Sequence, residues 1–219
     1  MKKIAWMIAV IVMLPFTVNA TSEENVMQKD INSLDRYYTF TMRISAPSES
    51  DYRYYSARNP YYKWNMPMPN CTTYAYGRFW EVYGDEPQYP LTLAKHPSVI
   101  YWYAKNDANS AYRNHVGLQP GLGAIAVWST IPNDNPNAGA SEGHVAIVER
   151  VESNGDIYTS NSGYPNSNFY MQTYSRANNY NYVGSNGKTY YFQGFVYQPR
   201  NHFIISWSYG MLKWIIKLF

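Results

Sequence analysis

The sequence predicts an α+β domain in which helices come first and pack on a small antiparallel sheet or half-barrel. Apolar residues recur at helical spacing after Asn70, which favours an amphipathic helix. From Gly117 onward, short β-branched and aromatic runs alternate with turn residues, as in an antiparallel sheet. A length of 219 residues allows one ordinary domain with short appendages.

Composition excludes two classes of protein. A single cysteine among 219 residues rules out a disulfide scaffold, and a charged fraction of only 15% rules out a charge-rich disordered chain. The chain has 24 tyrosines, most of which are expected in the core or on loops.

Residues 1–20 have the pattern of a secretory signal peptide. Lys2 and Lys3 precede an apolar run, and small residues lead to a cleavage site after Ala20. An uncleaved membrane anchor is the alternative, but the apolar run is shorter than the ~20 residues that span a bilayer. Cleavage leaves 16 basic against 15 acidic residues, so the sequence predicts a secreted or cell-surface protein without a nucleic-acid partner.

The helical elements are expected in the first half of the chain. Residues 21–51 carry mixed charge and suit a helix or linker, whereas residues 52–69 are rich in Tyr, Pro and Asn and favour an extended loop. Asn70 can cap a helix that ends at Gly84. A second helix is predicted over residues 91–114.

The second half of the domain is expected to be β-structure. Four predicted strands share short runs of β-branched, aromatic and small apolar residues, over 124–128, 144–151, 157–160 and 190–197. Asn154-Gly155 predicts a two-residue type I′ turn between the second and third strands. The long loop over residues 129–143 is a candidate binding surface. The main domain is therefore assigned to residues 52–199.

Residues 200–219 form an apolar, basic tail. Within 203–219, four polar or small residues recur at helical spacing and form one narrow stripe: Ser206, Gly210, Lys213 and Lys217. The pattern suits a helix at a membrane interface, with Trp207 and Trp214 at the boundary. The alternative is a helix docked on the main domain.

Cys71 is the first candidate for chemistry. Exported proteins usually pair their cysteines or lack them, so a lone one favours a functional thiol over a small buried hydrophobe. The first turn of a helix stabilises a thiolate, and the sequence therefore predicts a lowered pKa for Cys71.

A reactive thiol also needs an imidazole that removes its proton. The chain has four histidines, which are His96, His115, His144 and His202. His144 is favoured because it opens a predicted strand immediately after Gly143, where a ring can project into a cleft.

The third member of such a site orients the imidazole. Asn161 follows the adjoining strand and is the preferred candidate, with Glu149 and Glu152 as weaker ones. A two-residue turn would place Asn161 opposite Val148, about 13 Å along the strand from His144. A bulge or strong coiling of the strands would then be needed to close the site.

Four blocks of the sequence resemble the successive motifs of one family. They are residues 70–80, 123–128, 143–149 and 157–161, in family order. They resemble the CHAP domain, the cysteine, histidine-dependent amidohydrolase/peptidase of bacterial and phage wall hydrolases, which has a papain-like fold. The resemblance covers roughly residues 62–198.

The resemblance implies an activity and the roles of three residues. Cys71 matches the nucleophile, His144 the general base and Asn161 the orienting member, in a hydrolase that cleaves peptidoglycan amides. The bond would join muramic acid to alanine, or lie in the stem peptide or cross-bridge. Ala124 stands where members often have an acidic residue, and no acidic calcium loop precedes Cys71. No metal or cofactor is therefore expected. The protein is also expected to be a monomer.

Two other functions fit the same residues. A secreted cysteine peptidase directed at proteins could use the same site, and a non-catalytic module could bind glycans through the tyrosines. Asn70-Cys71-Thr72 also matches a glycosylation sequon, which we interpret as incidental in a bacterial protein.

Overall fold

The computed structural model describes residues 40–92, 96–135, 137, 141–163 and 167–199. The helices precede the sheet and are α1 (Tyr52–Tyr55), α2 (Pro60–Lys63), α3 (Cys71–Tyr83) and α4 (Ile100–Asn106), with a 3₁₀ turn over Pro97–Val99. The predicted signal peptide of residues 1–20 and the predicted interfacial helix of 203–219 lie outside the described residues.

The described strands form one antiparallel arrangement. They are β1 (Val116–Gly117), β2 (Ile125–Ser129), β3 (Gly143–Val151), β4 (Ile157–Gly163), β5 (Ser167–Tyr174), β6 (Tyr182–Val183) and β7 (Thr189–Val196). The order across the sheet is β1-β7-β2-β3-β4-β5, and β6 pairs with β7. Helices followed by an antiparallel sheet confirm the predicted α+β class.

Helix α3 begins and ends at the predicted residues. The Asn70 side chain accepts hydrogen bonds from the backbone amides of Thr72 and Thr73, which satisfies two of the unpaired donors at the helix start. Gly84 ends the helix in the left-handed conformation, with φ 74°, and its amide donates to Trp80. The cap therefore fixes where Cys71 enters the helix.

The sheet is apolar on both faces. One face packs against α3, so Val127, Val145 and Ile147 lie in the same core as Phe79. The opposite face carries a second cluster around Trp128. Burial on both sides explains why β2 and the first part of β3 are almost continuously apolar.

A buried ion pair joins α3 to β3. The Arg78 Nε and Nη2 atoms each lie 2.8 Å from a carboxylate oxygen of Glu149. Ser160 donates to the same carboxylate at 2.7 Å. This geometry is bidentate, and the Glu149 side chain is fully buried.

The extended loop predicted over residues 52–69 is wrong, because two short helices occur there. Asp51 caps α1 and Asn59 caps α2, with Pro60 in the first helical position. Tyr54 and Tyr61 are fully buried, so ring packing stabilises turns that the local sequence alone does not.

The long helix predicted over residues 91–114 is also wrong. Among the described residues of this stretch, only Ile100–Asn106 is α-helical, and Asp107 leaves the helix with ψ 129°. The Asp107 side chain accepts from the amide of Asn109 instead, which favours a turn. Strand β5 was missed because most of its residues are partly buried and show no clear alternation.

The β3–β4 turn differs from the predicted type. Glu152 and Asp156 close a loop of three residues in which Gly155 has φ +87°. A bulge between Val148 and Arg150 shifts the register again, so that Ile147 pairs with Ser160. Continuing that register places Asn161 opposite Ala146. The predicted position opposite Val148 is therefore wrong, and the predicted need for a bulge is confirmed.

Candidate active site

Cys71 is the first residue of α3 and faces the beginning of β3. The backbone amides of Val145, Thr72 and Cys71 itself lie near its sulfur and favour the thiolate. Gly163, at the end of β4, packs closely against it, since an added Cβ there would lie 3.3 Å from the Cys71 amide nitrogen. The helix start, β3 and β4 therefore converge on the thiol.

The surroundings of Cys71 favour the neutral thiol. Although the residue keeps some exposed surface, burial of its sulfur raises the pKa of Cys71 to about 11. The three backbone amides near the sulfur act in the opposite direction and are outweighed. The predicted lowering of the pKa is therefore wrong, because desolvation beside an aromatic core exceeds the effect of the helix terminus.

His144 is the second residue of β3 and is almost fully buried. Its ring lies 5.9 Å from the Trp128 ring at 32°, and 6.4 Å from the Tyr182 ring at 77°. Burial lowers the pKa of His144, while its hydrogen bond with Asn161 acts in the opposite direction. The neutral imidazole is thus favoured.

Asn161 lies within hydrogen-bonding distance of His144. The His144 Nε2 and Asn161 Oδ1 atoms are 2.9 Å apart. Asn161 Nδ2 is 2.9 Å from Thr159 Oγ1, and the backbone oxygens of Thr159 and Tyr170 accept hydrogen bonds from it. Because backbone oxygens only accept, they require the amide nitrogen on their side and Oδ1 toward the ring.

This amide orientation assigns the tautomer of His144. Asn161 Oδ1 only accepts, so His144 Nε2 must carry a proton. In the neutral ring Nδ1 is then the unprotonated nitrogen, which is the form that a general base requires.

The weaker candidates have other partners. Glu149 is held in the ion pair with Arg78, and Glu152 lies in an exposed pair with Arg150. His96 is exposed, and His115 is partly buried beyond α4. Neither histidine meets Cys71 or Asn161 in the described contacts, and His202 lies outside the described residues.

Sequence reasoning missed several residues that support the site. Trp128 pairs directly with His144 across β2 and β3, and its indole donates to the Tyr180 backbone oxygen at 2.8 Å. Tyr182 lies on β6, a two-residue strand that carries no periodic signal. Thr159 was part of a recognised block, but its hydrogen bond to Asn161 depends on the fold.

Neither a metal-binding cluster nor a membrane-spanning helix is present in the described ranges. Their His, Cys, Asp and Glu residues form no group of three that could hold a metal ion. Among the helices of those same ranges, none has the length and apolarity to cross a bilayer.

Comparison with known proteins identifies the domain. The model of the CHAP domain family matches residues 61–163, a segment that includes Cys71, His144 and Asn161. A crystal structure of N-acetylmuramoyl-L-alanine amidase from Staphylococcus aureus is similar at 24% identity, with a TM-score of 0.39. That match covers 58% of this chain and 31% of the amidase chain, so this chain spans about a third of the amidase. No curated protein matches significantly. The CHAP family model therefore matches residues 61–163 of this chain, and this is the family that its sequence blocks resemble.

Proposed function

We propose that this protein is a secreted bacterial peptidoglycan hydrolase that cleaves an amide bond through Cys71, His144 and Asn161. The hydrogen bond between His144 Nε2 and Asn161 Oδ1 is the observation that carries the proposal. It leaves a buried imidazole whose Nδ1 is unprotonated, at the beginning of β3. The backbone amide of the next residue, Val145, lies near the Cys71 sulfur.

In the proposed reaction, His144 removes the thiol proton as the Cys71 sulfur attacks the carbonyl carbon of an amide. The C–S bond forms, the C–N bond breaks, and the imidazolium gives its proton to the departing amine. Water then attacks the thioester, which releases the acid and restores the thiol. Because the free protein favours thiol and neutral imidazole, proton transfer accompanies attack.

The tetrahedral intermediate needs hydrogen-bond donors for its oxygen. The Cys71 backbone amide lies at the start of α3, where the first amides have no helical acceptor. This position supports a role as an oxyanion donor.

The proposed substrate is the amide between muramic acid and alanine, or an amide of the stem peptide or cross-bridge. The match to the CHAP family model supports this substrate class. Release of a new amino terminus at alanine would identify an amidase, whereas a new terminus within the peptide would identify an endopeptidase.

Secretion is proposed from the sequence of residues 1–20, and surface retention from that of 203–219. Mass spectrometry of the exported protein should find Thr21 as its first residue. A protein that keeps residues 1–20 would contradict cleavage and favour an anchor.

The proposed function is tested by lysis of purified cell walls, followed by mass spectrometry of the released fragments. Cys71→Ala should lower the rate by at least about a thousandfold, because no other nucleophile is proposed. Ser50→Ala, on an exposed loop residue, is the control. Lysis by Cys71→Ala at the wild-type rate would exclude the mechanism, and faster digestion of casein than of walls would favour a protein-directed peptidase.

A further inference from the structure

A surface pocket lies apart from the catalytic residues. Its volume is about 400 Å³, and it is bounded by the loops after β1 and β2, the segment before β6 and the beginning of β7. Its polar lining consists of four amide side chains, one guanidinium and two phenols: Gln119, Asn133, Asn179, Asn181, Arg176, Tyr180 and Tyr191. Cys71, His144 and Asn161 do not line it.

The polar groups of this pocket are available for a ligand. In the described ranges, the side chains of Gln119, Asn133 and Asn179 make no hydrogen bond, and Asn181 uses only Oδ1, which accepts from the Phe192 amide at 2.8 Å. Likewise, the Arg176 guanidinium forms no ion pair with a described carboxylate. The lining therefore offers several amide donors and acceptors, one cation and no carboxylate.

The backbone around the pocket is strained. Of the four described non-glycine residues with positive φ, three line it: Asn133 at 52°, Asn179 at 50° and Tyr180 at 59°. A bulky residue such as tyrosine rarely adopts this conformation. The Tyr180 hydroxyl donates to Gly155, and its backbone oxygen accepts from the Trp128 indole, so surrounding contacts maintain the strain. Strain of this kind clusters at ligand-binding sites.

The lining chemistry matches a sugar better than a stem peptide. Amide side chains can pair with hydroxyl groups and with the N-acetyl amide, and the partly exposed Tyr191 ring can pack on the apolar face of a sugar. Leu118, which is 64% exposed at the pocket, can contact an acetyl methyl group. A peptide with several carboxylates would find only Arg176 as a cation.

We propose that this pocket is a subsite for an N-acetylated saccharide of the glycan strand. The inference goes beyond the proposed cleavage reaction, since it assigns a binding site outside the catalytic residues. The pocket and the catalytic site nevertheless share neighbouring strands: Phe192, which lines the pocket, pairs with Trp128, and Trp128 pairs with His144. Binding there would hold the glycan on the same sheet that carries the general base.

The test is titration of the full exported chain with chitotetraose, a β-1,4-linked tetramer of N-acetylglucosamine that carries no peptide. Calorimetry should detect binding by wild type, and by Cys71→Ala with the same affinity. Tyr191→Ala and Asn179→Gly should each bind about tenfold more weakly, because they remove a packing surface and an amide.

Asn179→Gly keeps a backbone that tolerates positive φ, so loss of binding would not reflect unfolding. Its matched control is Asn65→Gly, at an exposed asparagine outside the pocket with φ 62°, which should bind as wild type does. Equal affinity of the pocket variants and wild type would overturn the proposal, as would binding of a sugar-free stem peptide in place of the tetrasaccharide. Wild-type protein that lyses walls through Cys71 but does not bind chitotetraose would overturn the subsite alone.

Discussion

At the scale of single residues, the protonation state of His144 follows from the hydrogen-bond partners of Asn161. Thr159 and Tyr170 supply the oxygens that orient the Asn161 amide, and this amide assigns the proton to His144 Nε2. A neutral carboxamide orients the ring without adding charge. Burial can therefore keep the imidazole neutral. A neutral imidazole is required because the base must remove the proton of the Cys71 thiol.

Asn161→Asp should move the acidic limb of the pH profile of kcat/KM upward. A carboxylate 2.9 Å from the ring would stabilise imidazolium and raise the pKa of His144, by about one unit or more. More of the enzyme would then lack its base at neutral pH. Hydrolysis rates of a soluble muropeptide across pH 4–9 measure the shift.

Asn154→Asp is the control for that experiment, since it adds the same charge to an exposed turn. Its profile should coincide with that of wild type. An unshifted profile in Asn161→Asp would contradict the role of Asn161 beside the catalytic imidazole.

At the scale of elements, the site depends on how α3 is attached to the sheet. The Arg78–Glu149 pair holds the middle of the helix to β3, and Gly163 allows the end of β4 to approach the helix start. Each contact joins segments far apart in sequence. A small displacement between α3 and β3 would change the position of Cys71 relative to His144.

Arg78→Met should destabilise the protein by about 3–5 kcal/mol, because it leaves the Glu149 carboxylate buried without its cation. Urea unfolding of the two proteins measures the difference. Arg150→Met removes an exposed pair with Glu152 and should cost less than about 1 kcal/mol. Equal effects of the two substitutions would show that the buried pair is not structurally important.

Gly163→Ala should reduce both stability and activity. The residue has φ +125°, which side chains rarely adopt, at a cost of about 1–3 kcal/mol. The new methyl group would also press on the Cys71 amide at 3.3 Å.

Gly187→Ala is the matched control for this substitution. Gly187 also has positive φ, but nothing lies within 4 Å of an added Cβ. Both variants should lose stability in thermal unfolding, Gly163→Ala more than Gly187→Ala because of its contact with Cys71, and only Gly163→Ala should lose wall hydrolysis. Equal activity of the two variants would contradict a role for the Gly163–Cys71 approach.

At the scale of the whole molecule, a partly buried network of charged groups surrounds Glu81. Arg43 Nη2 lies 2.5 Å, Tyr54 Oη 2.6 Å and Arg78 Nη1 3.1 Å from its carboxylate oxygens. Burial acts against ionisation, but the hydrogen bonds from Arg43 and Tyr54 and the two guanidinium charges outweigh it and lower the pKa of Glu81 to about 2. The network thereby links the segment before α1 to α3.

Stability should accordingly fall in acid. A carboxyl whose pKa is lower in the folded than in the unfolded protein stabilises the fold above the unfolded pKa, here about 4.5, and this contribution is lost as the pH falls toward 2. Glu81→Gln should be less stable than wild type at pH 7, by on the order of 1–3 kcal/mol. Thermal unfolding should show the difference shrinking below pH 4.5, whereas a constant difference would contradict the assignment.

The identities of the candidate catalytic residues could be predicted because the sequence signals that mark them are local. Cys71 follows a capping asparagine, His144 opens an apolar strand, and each lies in a short block of family type. The position of Asn161 was not predictable, since it depends on a three-residue turn and a bulge that together shift the strand by two residues. A period of two gives the correct face of a strand but does not reveal its register.

Local sequence signals were sufficient to predict the α+β class, the limits of helix α3 and the candidate nucleophile and base. These features depend on capping, periodicity and composition, which act over a few residues. The tautomer of His144, the raised pKa of Cys71 and the pocket around Asn179 depend instead on the folded arrangement. The physical reason is that desolvation and hydrogen-bond partners depend on groups brought together from distant parts of the chain.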